Sequence, residues 1–337
     1  MRPPGHLALR RSVDSEFRAM TQRTTLPDLL RQTREVRGNE VVYRFANGLT
    51  IKTEIFNKGD RLRILPLGSP QGSLMNHMLN FPETVRDKRV FEPFAGSGAL
   101  GFMALKAGAR HLDLLDINPR AFEFHRQNAA LNQFPSDWFT SVTGDIADFT
   151  PERGYDLIVA NPPFVPTPDG IAGTITSNGG PEGNRFVAIL LQRLETFLEP
   201  SGRALIYVFQ FARQDRPLIL DLLAATVTDR SVELTPSQTR PIAFETYCRA
   251  YSQLFAQAAA AIDAWRSEII HRYGSDVTLR HYIVDIGPRS ARPAECVIRE
   301  NFAEKFGERF FVPSEDEEAL AFGRVWENLV ADAPSIQ

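Results

Sequence analysis

The chain of 337 residues reads as an α/β protein built on a doubly wound, mostly parallel sheet. Three observations predict this. From Lys88 onward, short apolar and β-branched runs alternate with stretches of helical periodicity, the pattern of a parallel sheet with crossover helices. A glycine-rich loop, Gly96-Ser97-Gly98-Ala99-Leu100-Gly101, stands between the first such run and the first such helix. The run Tyr155-Asp156-Leu157-Ile158-Val159-Ala160 ends in Asn161-Pro162-Pro163-Phe164, where a residue without an N–H stops the strand ladder.

Taken in order, residues 1–24 read as a disordered lead-in. Met1 to Val13 carries Arg2, Arg10 and Arg11 and no acid, a composition shared by organellar presequences and frayed cytosolic tails. Two prolines and the lack of an apolar face favour the tail. Leu26-Pro27-Asp28-Leu29-Leu30 opens a short helix running towards Val36. Two alternating β-rich runs, 41–45 and 49–53, flank Asn47-Gly48, the strongest short hairpin signal. Residues 25–70 are therefore expected to form a small helix-hairpin unit ahead of the main sheet. The main domain is expected over 71–290, with strands at 89–92, 111–117, 139–143, 156–160 and 203–209 and helices at 99–107, 119–132 and 183–198. A later helix, 244–271, carries Tyr247, Tyr251, Leu254, Phe255, Ala258, Ile262, Trp265 and Ile269 at helical spacing. That stripe reads as core packing rather than a substrate lid or dimer face, so 244–272 is treated as a helical insertion. Strand-like 278–286 follows it, and 291–337 forms a C-terminal extension whose acidic run Ser314-Glu315-Asp316-Glu317-Glu318 reads as a solvated helix start.

Composition removes several function classes. Lys+Arg of 38 against Asp+Glu of 41 leaves a net charge of −3, so no overall field attracts nucleic acid, although a local basic groove remains compatible. Cys248 and Cys296 form no Cys-x-x-Cys pattern, which fits a reducing compartment and a cytoplasmic location. The six histidines are dispersed, so no metal site is expected. No apolar run approaches the ~20 residues of a membrane span.

The glycine loop matches G-x-G-x-x-G, and Asp116 lies twenty positions beyond Gly96. Glycines let a ligand approach the backbone, and an acid at that distance receives ribose hydroxyls. Both features serve any adenosine ligand, so an NAD-type oxidoreductase is one reading. Charge favours another. Glu92 closes the strand before the loop, with no Lys or Arg between it and Lys106. A pyrophosphate would be repelled there, whereas the sulfonium and ammonium of S-adenosylmethionine would be attracted. Glu92 alternatively satisfies loop N–H groups. Asp145 ends the third strand and is expected to accept the adenine amino group, with Ile146 against the ring; its alternative is a turn or cap Asp. Asp116 is alternatively a turn acid before Asn118-Pro119.

Asn161 is pushed into extended geometry by the proline after it. Its side-chain oxygen and the Pro162 carbonyl supply two acceptors for the two hydrogens of a planar NH2 group, and Phe164 can cover that group's flat face. Asn161 as a structural turn residue is the bland alternative.

Glu92-x-Phe94-x-Gly96-x-Gly98, Asp116, Asp145 and Asn161-Pro162-Pro163-Phe164, in this order, resemble the class I S-adenosylmethionine-dependent methyltransferases over residues 70–212. The closer resemblance is to the subgroup with Asn-Pro-Pro-(Tyr/Phe), which includes enzymes methylating adenine, cytosine or guanine amino groups and the HemK-like release-factor glutamine methyltransferases. Asn178-Gly179-Gly180-Pro181-Glu182-Gly183 is similar to the Gly-Gly-Pro-Asp-Gly turn of the HemK-like branch. Phe164 replaces that branch's usual Tyr, its N-terminal helical bundle is replaced by the hairpin unit, and residues 230–337 have no counterpart in it. The resemblance implies a seven-stranded Rossmann-like sheet and S-adenosyl-L-methionine as cofactor. It places Glu92, Phe94, Ala95, Gly96, Gly98, Asp116, Ile117, Asp145, Ile146 and Asn161 around that cofactor and makes Asn161, Pro162, Pro163 and Phe164 catalytic. The implied reaction is N-methylation of a planar amide or amino nitrogen in a protein, nucleobase or small metabolite, which needs orientation more than a base. The acidic balance argues against bulky nucleic acid, and the aromatic C-terminal third suits a closed pocket for something smaller. A scaffold that binds the cofactor without catalysis is the third reading.

Overall fold

The computed structural model describes residues 8–11, 32–55, 60, 62–169, 171, 177–214, 216–237, 241–290 and 295–306. Its strands are β1 (Ala8–Arg11), β2 (Gln32–Arg37), β3 (Glu40–Phe45), β4 (Thr50–Glu54), β5 (Arg89–Pro93), β6 (His111–Asp116) and β7 (Phe139–Thr143). They continue with β8 (Tyr155–Ala160), β9 (Leu198–Arg213), β10 (Arg216–Pro217), β11 (Arg230–Pro236), β12 (Ile242–Ala243), β13 (Thr278–Arg289) and β14 (Glu295–Ile298). The helices are α1 (Ser69–Asn80), α2 (Ala99–Lys106), α3 (Pro119–Leu131), α4 (Arg185–Gln192), α5 (Ile219–Thr226), α6 (Phe244–Leu254) and α7 (Ala259–Tyr273), with short turns at Leu194–Phe197 and Ala303–Phe306.

The main sheet has the order β1-β14-β11-β13-β9-β8-β5-β6-β7. Pairing is parallel from β9 through β8, β5 and β6 to β7 and antiparallel at β13. The chain winds outward from β5 to β7 and then crosses back to β8 on the other side of β5. That reversal opens a crevice at the carboxyl ends of β5 and β8, where doubly wound sheets bind ligands. The sheet is wider than the seven strands expected: β14 and β1 continue it beyond β11, and the two-residue strands β10 and β12 pair at β9 and β13. Period-two alternation builds two cores. Leu157, Val159, Leu205 and Tyr207 face one apolar cluster, while Ile158, Ala160, Ile206 and Val208 face the other.

Three expectations change. Of the helix expected from Leu26 towards Val36, residues 26–31 lie outside the described residues, and Gln32–Arg37 is a strand. Gly38 (φ +60°) turns the chain so that β2 pairs with β3 through six residue pairs, and a ladder partner overrides weak helical preference. Of the lead-in 1–24, Ala8–Arg11 is a strand parallel to β14, and the rest lies outside the described residues, as does the acidic run at 314–318. The front sheet is also not a separate unit, because Val41, Tyr43, Leu49 and Ile51 share one core with Leu74, Phe102 and Met103. Helix α3 docks it by imitating a strand. Asn128 and Asn132, one turn apart, accept from the backbone N–H of Lys52 and Thr50 (both 2.8 Å) and donate to their carbonyls (3.0 and 2.6 Å). This satisfies the edge of β4.

The helical insertion lies between β12 and β13. It breaks at Phe255 into α6 and α7, joined by a short 3₁₀ turn, Ala256–Ala258. Tyr247, Tyr251, Phe255, Ile262, Trp265 and Ile269 are all buried, so the stripe packs inward, as its spacing predicts. Among the described residues, no helix is long and apolar enough to cross a membrane.

Candidate active site

The crevice at β5 and β8 is a cavity lined by Glu92, Phe94, Ala95, Gly96, Asp116, Ile117, Asp145, Ile146, Asn161 and Pro163, among others. The chain reaches it through a tight turn after β5, with Phe94 at φ +58°, Gly96 at +53° and Gly98 at +74°. Phe94 is the one side chain among these three held in the left-handed region with a Cβ, a cost of order 1–3 kcal/mol that the surroundings must offset.

The surroundings hold the loop from both sides. Asp116 accepts the N–H of Gly96 through one oxygen (2.6 Å) and that of Asn118 through the other (2.8 Å). Burial pushes its carboxyl above the ordinary range, against the pull of these two donors. His125 on α3 receives Ser141 Oγ at Nδ1 (2.7 Å) and places Nε2 3.1 Å from the Gly96 carbonyl. That carbonyl only accepts, so Nε2 carries the proton. Burial lowers this imidazole to about 4, which keeps it neutral in the role. Asn128 donates to the Ser97 carbonyl (2.9 Å). Neither His125 nor Asn128 carried a sequence signal beyond its place on an amphipathic helix.

Glu92 fulfils its alternative reading without leaving the cavity. Its oxygens accept the N–H groups of Gly101 (2.7 Å) and Leu100 (3.3 Å) at the start of α2. Gly101 permits this, because a Cβ there would stand 2.8 Å from the Glu92 carboxylate and 2.4 Å from Leu112. Burial pushes the Glu92 carboxyl up to about 8, opposed by the two N–H donors and reinforced by Asp116. Asp145 similarly does double duty, accepting the N–H of Ala147 (2.8 Å) while lining the cavity.

Asn161 stands at the tip of β8. Its Oδ1 is buried and has no hydrogen-bond partner among the described residues. An orphaned buried acceptor costs about 1–3 kcal/mol, a cost that a ligand's N–H would remove. Three expected residues do not line the cavity. Gly98 serves packing instead, since a Cβ there would meet the Phe102 ring at 2.8 Å. Pro162 is buried outside it. Phe164, expected to cover an acceptor, has its ring against Tyr207 (5.5 Å) and edge-on to His281 (5.7 Å). The rings that line the cavity with Asn161 are Phe186 and Phe94, in edge contact with each other at 5.9 Å.

Gln71, on the first turn of α1, lines the cavity, as do Arg63, Ile64 and Leu65 in the loop before that helix. Their loop is pinned by Glu54, which accepts from the backbone N–H of Ile64 (2.7 Å), and by Asn118, which donates to Leu62 O (2.6 Å). Arg63 is buried. Arg63 carried no sequence signal of its own. The lining thus sets three carboxyl groups against one guanidinium. S-Adenosylmethionine, with a sulfonium, an ammonium, one carboxylate, a ribose diol and an adenine amino group, fits that donor set. A pyrophosphate does not.

Residues 72–176 match the family described as the methyltransferase small domain. The chain is 26% identical over 191 residues to a Methanocaldococcus jannaschii protein provisionally named a protein N5-glutamine methyltransferase, covering 54% of this chain and 83% of that one. It is 26% identical over 129 residues to the ribosomal RNA large subunit methyltransferase I of Aliivibrio fischeri, spanning 36% of this chain and only 30% of that relative. Among solved structures, an S-adenosylmethionine-dependent methyltransferase from Agrobacterium tumefaciens superposes with a TM-score of 0.47 at 14% identity, over 76% of this chain and 72% of that one. The glycine loop, Asp116, Asp145 and Asn161 all fall inside the stretch matched by the methyltransferase small domain, and the protein is an S-adenosylmethionine-dependent methyltransferase.

Proposed function

We propose that the enzyme methylates a planar amide or amino nitrogen held at Asn161, with the side-chain amide of a protein glutamine as the first acceptor class to test. The observation that carries this reading is the buried, unpartnered Oδ1 of Asn161 in a cavity that also holds Glu92, Asp116 and Asp145. The M. jannaschii relative's name points to the same acceptor class.

Within that reading, Asp116 receives the ribose hydroxyls while its N–H bonds fix its orientation. Asp145 and Ile146 hold adenine, Glu92 faces the ammonium, and Arg63 with Gln71 faces the methionine carboxylate. Gln71 uses Oε1 to accept the Gly68 N–H (3.0 Å), which leaves its amide hydrogens to donate. The bound cofactor supplies an activated methyl group on sulfonium sulfur. Asn161 then accepts an N–H of the acceptor and favours its electron-rich form, an effect largest in the transition state. Phe186, rather than Phe164, covers that group and excludes water. His281 is buried beside Phe209 and lowered to about 3 by burial, which suits packing rather than base catalysis.

The test is transfer of labelled methyl from S-adenosylmethionine into a cell extract, followed by separation of protein, RNA and small molecules. Label is expected in protein, released as methylglutamine on digestion. Asn161→Ala should lower turnover by two to three decades, about 2.7–4 kcal/mol by analogy with oxyanion donors, with little change in S-adenosylhomocysteine affinity. Full activity in that variant refutes the role given to Asn161.

A further inference from the structure

The turn Asn178–Gly183 and the helical insertion have no part in the reading above, yet the structure fastens them to each other and to the acceptor motif. Val165 donates its N–H to Ser177 O, and Gly179 donates back to Val165 O, both at 2.9 Å. Gly183, at φ +74°, lies so close that a Cβ would stand 2.4 Å from Phe164 O, and one on Gly179 would stand 2.9 Å from Phe164 C. The turn is therefore a buttress against the backbone of the last motif residue.

The insertion grips both legs of this loop. From α6, the hydroxyls of Tyr247 and Tyr251 both donate to Pro166 O, at 3.0 and 2.9 Å. From α7, Trp265 Nε1 donates to Pro181 O at 3.0 Å, and Arg272 and Tyr273 both donate to Glu182 Oε1 at 2.5 Å. Tyr247, Tyr251 and Trp265 are buried. Five donors from a segment more than 60 residues downstream thus converge on Pro166, Pro181 and Glu182.

We propose that the α6–α7 hairpin is a positioning element for Asn161, clamping the loop that follows it so that Asn161 keeps its place in the cavity lining. This rests on the reading of Asn161 as the acceptor contact. A carbonyl has two lone pairs, so Tyr247 and Tyr251 are redundant donors. Either Tyr→Phe variant alone leaves Pro166 held; the pair together does not.

The experiment measures amide hydrogen exchange at Val165, Thr167 and Gly179, S-adenosylhomocysteine binding by calorimetry, and methyl transfer into the extract. Tyr247→Phe and Tyr251→Phe singly should each change exchange and transfer less than about twofold. The double variant should exchange about tenfold faster and turn over about tenfold more slowly, 1.4 kcal/mol of coupling, with binding unchanged within about twofold. Trp265→Phe repeats the test at Pro181, read at Gly179, so a poorly folding double variant leaves the inference exposed to refutation. Unchanged exchange in both overturns it, as do additive single effects or a parallel loss of binding, which mark general loosening. Asn161→Ala, run alongside, separates the two failures: if it retains transfer, the acceptor reading falls, while exchange still decides whether the hairpin clamps the loop.

Discussion

Glu92→Gln isolates the electrostatics of the cleft. In the ligand-free protein the Glu92 carboxyl is pushed up to about 8 by burial, so near neutrality it is mostly protonated. A bound ammonium favours the carboxylate, and binding must then expel a proton. If the bound form titrates well below the working range, association of S-adenosylhomocysteine should strengthen about eightfold from about pH 6.5 to about pH 7.5, and about one proton should leave per complex at the lower pH. Calorimetry in two buffers of different ionisation enthalpy counts that proton. Glu92→Gln should remove both the slope and the proton, which subtracts the ligand's own titration. The unliganded protein gives an independent sign check. A folded-state pKa above the ordinary 4.5 contributes stability that is fully present below about pH 4.5 and is lost as pH rises through about 8. The unfolding midpoint of the native protein should therefore fall more steeply over that window than that of Glu92→Gln. Equal slopes in native protein and variant, or no proton released, refute a carboxylate that meets the ligand's cation.

Two further outcomes follow from the loop's supports. Asp116→Ala removes the acceptor of the Gly96 N–H and the proposed ribose partner together, so S-adenosylhomocysteine affinity should fall at least about tenfold by calorimetry; an unchanged affinity places the ribose elsewhere. Asn128→Ala strands the Lys52 N–H and the Lys52 and Ser97 carbonyls, which should cost about 3 kcal/mol in urea unfolding, and a loss under about 1 kcal/mol would mean that water replaces the amide.

Elements whose signal is local were legible from the chain alone. Alternation in 155–160 and 203–209 states which residues face which core. Gly96-x-Gly98 announces a loop whose backbone a ligand can approach, and Asn161-Pro162-Pro163 announces a strand that stops with its last polar side chain at the edge. Their order along the chain sufficed to bring Glu92, Asp116, Asp145 and Asn161 to one end of one sheet, because right-handed crossovers leave little choice. The helix expected over 26–36 failed over 32–36, where a partner strand outweighs local preference.

Contacts between residues far apart in sequence were decided only by the tertiary structure. Arg63 entering the cavity, Phe186 rather than Phe164 facing it, Asn128 and Asn132 completing the edge of β4, and the hairpin tyrosines closing on Pro166 all depend on distances of a few ångströms between remote segments. Side-chain periodicity is blind to such distances. A strand's own residues determine which way each side chain points, but which neighbour it meets is set by how the two cores pack around it.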